Sequence, residues 1–137
     1  MAEDLDDLGW KELWIPWLYG VLLVNRKALK PSTIKAVQKQ IKRKEAVCIF
    51  PEGTSVGKGL KPLKDGAAYF AVKNKIPIIP VALSGTEKIA KKFKKLQKTK
   101  IEIQFGPAIV PAAKDKPKQI TKKIETALRS MLPNKYL

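Results

Sequence analysis

No histidine occurs among the 137 residues. That absence removes the usual general base, the usual proton shuttle and the commonest zinc ligand. Cysteine is nearly missing as well. Cys48 stands alone, so no internal disulfide can form, and a reducing compartment is indicated. Acidic residues are scarce, with 12 Asp and Glu against 28 Lys and Arg, for a formal net charge of +16. Five of the acids, Glu3, Asp4, Asp6, Asp7 and Glu12, fall before residue 20, which leaves the remainder strongly basic. Such a field attracts nucleic acid, anionic lipid headgroups and phosphorylated or CoA-linked metabolites. Long apolar runs are absent too. The longest, residues 13–24, contains Pro16 and Gly20 and falls short of the ~18–20 residues that cross a bilayer. The acidic N-terminus lacks the positive charge of a signal peptide. The expectation is a cytoplasmic chain that does not span a membrane.

What is present reads as one α/β domain over residues 1–137: an acidic tail at 1–10, a core at 11–110 and a C-terminal helix at 116–132. Trp10, Trp14 and Trp17 recur at steps of four and three, which places three indoles on one helical face. That stripe suits either a core-facing helix or an interfacial one at lipid headgroup level. Residues 20–24 read as a short buried strand. Pro31 and Ser32 open a helix with Ser32 as its cap, and Ile34, Val37 and Ile41 follow at helical spacing with lysines between them. Residues 46–50 form an apolar, β-rich run expected as a central strand of a parallel sheet.

A helix is expected at 66–74, then a strand at 76–83 whose Pro77 and Pro80 argue for a sheet edge or a bulge. Residues 86–100 read as a lysine-rich amphipathic helix, 100–105 as a half-exposed strand, and the stretch from Lys116 as a helix with Ile120, Ile124, Leu128 and Met131 on one face. This order of elements predicts a mostly parallel sheet flanked by helices.

The chemistry concentrates in residues 50–68. Gly53 permits a tight turn, Thr54 and Ser55 offer hydroxyls, and Lys58, Lys61 and Lys64 surround the stretch with positive charge. A phosphate cradle fits this composition, as does a tight turn with solvated lysines. A nucleotide P-loop does not fit, because Gly53 and Gly57 are separated by three residues rather than four and Lys58 is followed by Gly59.

Phe50-Pro51-Glu52-Gly53-Thr54, with Lys64-Asp65-Gly66-Ala67-Ala68 after it, resembles the Glu-Gly-Thr block of the 1-acyl-glycerol-3-phosphate acyltransferases and their phospholipid/glycerol acyltransferase relatives. Ile76-Pro77-Ile78-Ile79-Pro80-Val81-Ala82 resembles the family's later Val-Pro-Ile-x-Pro-Val block. Upstream, Gly20-Val21-Leu22-Leu23-Val24-Asn25-Arg26 is similar to its Gly-x-Ile-x-Val-Asp-Arg block. The resemblance covers residues 11–110 in the right order. It implies a glycerol-3-phosphate acyltransferase-like α/β fold and transfer of a fatty acyl group from acyl-CoA or an acyl-carrier-protein thioester, as co-substrate, to a lysophosphatidate-like acceptor.

Carried over by position, Arg26, Glu52, Gly53, Thr54 and Lys64 would hold the acceptor's glycerol phosphate, with no metal and no further cofactor. A guanidinium at Arg26 suits a phosphate for physical reasons of its own, because its fork of donors matches paired oxygens. The family's catalytic pair, His-x-x-x-x-Asp, precedes these blocks and is not found here. The resemblance therefore implies an N-terminally truncated acyltransferase, or a noncatalytic lipid-phosphate binder, with no catalytic residue of its own. Glu52 is the only carboxylate in the blocks, and among lysines it is a feeble base toward an alcohol. Ser55 stands where many members carry Arg, which leaves the headgroup open. The partners expected are an anionic lipid precursor, the acyl donor and the inner face of the cell membrane, held peripherally by the tryptophan stripe and the lysine-rich helix. The alternative is a basic nucleic-acid-binding module, for which the charge speaks but no stacking aromatics or recognised motif do.

Overall fold

Proline sets the first helix. Pro31 occupies the first position of α1 (Pro31–Lys42), where its fixed φ suits the helix and its missing N–H costs nothing. Ser32, expected as the cap, lies inside the first turn for that reason. Val37 is buried, Ile34 and Ile41 are half-buried beside it, and Lys35, Lys39 and Lys42 face solvent. The helix ends on Lys44, whose φ of 60° is left-handed. The amides of Lys44 and Glu45 turn back to donate to the carbonyls of Ile41 (2.9 Å) and Gln40 (3.1 Å). This is the Schellman closure, with lysine where glycine is usual.

The computed structural model describes residues 31–53, 59–88 and 97–136. The chain divides into two compact units, Met1–Val56 and Gly57–Leu137. The tryptophan stripe, the strand expected at 20–24, and Arg26 lie outside the described residues, as does most of the lysine-rich helix. No described helix is long and apolar enough to cross a membrane.

Within the first unit, residues 46–50 form no regular strand. Ile49 is exposed and Phe50 is 71% exposed, which corrects the expectation of a buried central strand. Apolar composition supplied the β propensity there; a ladder and two covering layers have to come from elsewhere in the chain.

In the second unit, α2 (Gly66–Asn74) is small-faced, and Ala68 and Ala71 are buried. It ends as α1 does, on a left-handed lysine, Lys75, whose N–H and that of Ile76 donate to Val72 and Ala71. β1 (Val81–Ser84) and β2 (Glu102–Phe105) pair antiparallel, Val81 against Phe105 and Ser84 against Glu102. The parallel pairing expected is thereby corrected for these strands. Alternation along a strand carries no direction, so the sequence pattern was equally open to either pairing. Gly85, with φ of +85°, passes so close to Lys100 that a Cβ on it would lie 2.3 Å from that carbonyl oxygen. A short 3₁₀ turn, Thr86–Lys88, follows, and residues 97–100 are not helical, which corrects the expected helix at both of its ends.

Pairing continues beyond the strands. Gly106 donates to Pro80 at 2.8 Å, and Ile78 exchanges both backbone bonds with Ile109 at 2.9 and 2.8 Å. The 105–109 side carries one more residue than the 78–81 side, which makes a bulge at residues 106–108. It lies on the strand opposite Pro80, not in the proline-bearing strand where the sequence pointed to a bulge or an edge.

α3 (Pro117–Met131) completes the unit. Its Ile120, Ile124 and Leu128 meet Ala68 of α2 and Ala82 of β1 in one core, with Leu60, Leu63, Ile78 and Ile109 around it. The alanines let the helices lie close to the sheet and to each other. The helices pack on the Ala82 face of β1, while β2 is exposed on both faces. The opposite face presents Val81, Leu83, Ile103 and Phe105 to solvent, Phe105 being 73% exposed.

Candidate functional site

The candidate turn begins at Phe50. The Gly53 amide donates to the Phe50 carbonyl at 3.1 Å, closing a four-residue turn over Pro51 and Glu52. Proline presets the second position of such a turn, and Gly53 leaves it with φ of 62°. The tight turn expected at Gly53 is therefore present, and Glu52 and Gly53, both half-buried, share it. Glu52 engages a partner rather than standing free. Arg26, Thr54, Ser55 and Lys58 lie outside the described residues.

Lys64 belongs to the second unit. It is exposed, in an irregular stretch that leads into α2. The next residue, Asp65, stands at the helix start without capping it through its side chain. Its carboxylate instead accepts a 2.6 Å hydrogen bond from the Thr121 hydroxyl of α3. A structural tie thus fixes the stretch at one end, with its lysine facing water.

The other end is fixed by a residue no sequence pattern marked. The C-terminal 3₁₀ turn, Asn134–Tyr136, places the Tyr136 carbonyl 2.8 Å from the Leu60 amide, which donates to it. The Tyr136 hydroxyl accepts from the Gly85 amide at 3.0 Å and donates to Glu87 Oε1 at 2.6 Å. An aromatic residue behind a proline at a chain end has no periodicity to reveal such a role.

The electrostatics are those of an exposed basic surface. Lys135 sits 4.6 Å over the Tyr136 ring and 3.9 Å from Glu87. Its bond to Tyr136, then Glu87 and Glu102, hold its ammonium above the ordinary lysine value. A 2.7 Å pair of Lys100 with Glu102 raises the lysine and lowers the carboxyl. A shallow open groove runs along α3, lined by Pro107, Ile109, Lys122, Lys123, Thr126 and Ala127 among others. No residue expected for phosphate binding lines it.

The model of the family described as Acyltransferase matches residues 5–84, more than half of the chain. The chain belongs to the acyltransferase family. The match takes in all three sequence blocks and ends with β1, so β2, α3 and Tyr136 lie beyond it. The 1-acyl-sn-glycerol-3-phosphate acyltransferase of Salmonella typhimurium is 45% identical over 84 residues, which cover 54% of this chain and 34% of that protein. The Escherichia coli protein of the same name is 42% identical over 84 residues, with the same coverage of 54% and 34%. The 1-acyl-sn-glycerol-3-phosphate acyltransferase alpha of Ovis aries is 28% identical over 121 residues, 85% of this chain and 42% of that protein. The chain thus spans about a third of the length of the bacterial relatives it matches. No solved structure matches it.

Proposed function

We propose that this acyltransferase-family chain binds the glycerol phosphate of a lysophosphatidate-like acceptor, in the service of acyl transfer from a CoA or acyl-carrier-protein thioester. The observation that carries the reading is the Phe50–Gly53 turn, tight and left-handed at its glycine, inside a stretch that matches the family. Arg26 supplies a bidentate guanidinium, Glu52, Gly53 and Thr54 the turn that receives the glycerol end, and Lys64 an exposed positive charge. The names of the relatives support the acceptor class. The wider fold goes with this reading: a parallel sheet flanked by helices, to which β1 and β2 contribute an antiparallel pair.

In the transfer itself the acceptor hydroxyl attacks the thioester carbonyl. A C–O bond forms, the C–S bond breaks, and the hydroxyl proton leaves with a base while the thiol departs. The chain contains no histidine to be that base, so its own contribution is binding and orientation. Peripheral attachment to the inner face of an anionic membrane, by indoles and lysines together, brings the site to its substrate.

Titration of the purified chain with lysophosphatidate tests this reading. Saturable binding is expected, weakened about tenfold or more by Arg26→Ala and less by Lys64→Ala, with no turnover above background when acyl-CoA is added. Absence of binding overturns the reading, and turnover shows a base within the chain. The nucleic-acid alternative finds no support among the relatives. Tighter binding to duplex or single-stranded nucleic acid than to anionic vesicles at matched salt would restore it.

A further inference from the structure

Two backbone segments and one side chain converge on Tyr136. Leu60 donates its amide to the Tyr136 carbonyl at 2.8 Å. Gly59, at φ +76°, lies so close that a Cβ on it would sit 3.0 Å from that same oxygen. On the other side of the residue, the phenol takes the Gly85 amide at 3.0 Å and gives its proton to Glu87 at 2.6 Å. Tyr136 is half-buried, and its own amide donates to Pro133 at 2.9 Å, so its turn is closed. One residue therefore ties together the entry to the Lys64 stretch, the exit of β1 and the C-terminal turn.

Both glycines belong to the tie. Gly85 has to be left-handed for the chain to pass under Lys100, and that conformation leaves its amide to be taken by the Tyr136 hydroxyl. At Gly59 the positive φ disfavours any side chain, and a Cβ there would crowd the Tyr136 carbonyl that reaches Leu60. Downstream, Leu60 and Leu63 pack on the core, and Asp65 is bonded to Thr121. Lys64 is thus strung between two fixed points, Tyr136 at one end and the Asp65–Thr121 bond at the other.

We propose that Tyr136 is a positioning residue for acceptor binding: through Leu60 it fixes the 59–64 stretch and with it the backbone that carries Lys64. This rests on the lipid-phosphate reading above. Gly59 and Leu60 lie within the family match, which ends at Ser84, whereas Gly85, Glu87 and Tyr136 lie beyond it.

The test uses the full chain, Tyr136→Phe, and a chain ending at Asn134, each with and without Lys64→Ala. Amide hydrogen exchange at Leu60 and Gly85 and the dissociation constant for lysophosphatidate are the readouts. In Tyr136→Phe, protection at Gly85 falls at least tenfold while Leu60 stays within threefold, because the carbonyl clasp survives. In the shortened chain both amides lose protection and lysophosphatidate binds at least fivefold more weakly. If Tyr136 acts through Lys64, Lys64→Ala costs clearly less affinity in the shortened chain than in the full one. Full additivity of the two changes, or unchanged affinity with Leu60 deprotected, overturns the positioning role and leaves the binding reading intact. A full chain that binds no lysophosphatidate overturns the binding reading and the positioning role with it, while exchange at Gly85 still reports whether the tie exists.

Discussion

Lys44 and Lys75 occupy left-handed positions at two helix ends where a side chain is strained against its own backbone. Both have the closing hydrogen bonds of a glycine terminus without the glycine. Lys75→Gly is expected to raise the unfolding free energy by about 0.5–1 kcal/mol, read from denaturant melts at unchanged slope. Gly85 is the opposite case. Gly85→Ala meets both the φ penalty and the Lys100 carbonyl, and a loss of roughly 1–3 kcal/mol is expected. The turn at Gly53 was legible from residue types alone, because proline followed two positions later by glycine has few other conformations open to it. Tyr136 was not, since its partners lie 49 to 51 positions away at Glu87 and Gly85 and no local pattern encodes so long a reach.

Among the elements, α3 is the one the core depends on most. Ile120 is fully buried, against Ala68 and Ala82. Ile120→Ala should cost about 2–5 kcal/mol, whereas Lys122→Ala on the exposed face should stay within about 0.5 kcal/mol. Thermal melts of the two variants separate these outcomes. The periodicity of α1 and α3 was readable because one face of each has to be apolar for the helix to dock. Pairing direction in β1 and β2 was not, because alternation along a strand is the same in either sense.

Acid sensitivity also belongs to these elements. Asp115, ahead of α3, is lowered chiefly by the 2.9 Å bond from the Ala112 amide, and Glu102 of β2 by the bond from Lys100. Carboxyls lowered in the folded state stabilise it above their ordinary values and lose that contribution as pH falls through the lowered ones. The expected loss therefore falls on the acid side of about pH 4. Asp115→Asn should flatten the pH dependence of stability there; an unchanged acid limb in denaturant titrations would contradict it.

At the scale of the whole chain, charge sets what the chain attracts. A net charge of +16 makes any anionic surface attractive, and attraction of that kind is screened over roughly 8–10 Å at ordinary salt. Vesicle sedimentation is expected to show binding that falls with salt but leaves a salt-resistant part, removed by Trp14→Ala with Trp17→Ala. Identical salt profiles for the tryptophan variant and the parent would contradict that division of labour.

Composition and local order determined the sign of the charge, the want of a histidine base, the helical faces, the turn at Gly53 and the family itself, because each depends on residue identity and short spacing. Tertiary structure alone decided the antiparallel pairing of β1 with β2, the bulge beside Pro80, the exposure of residues 49–50, and the tie at Tyr136. These depend on which distant backbone groups meet, and a hydrogen bond between residues fifty positions apart leaves no periodic trace in the chain that makes it.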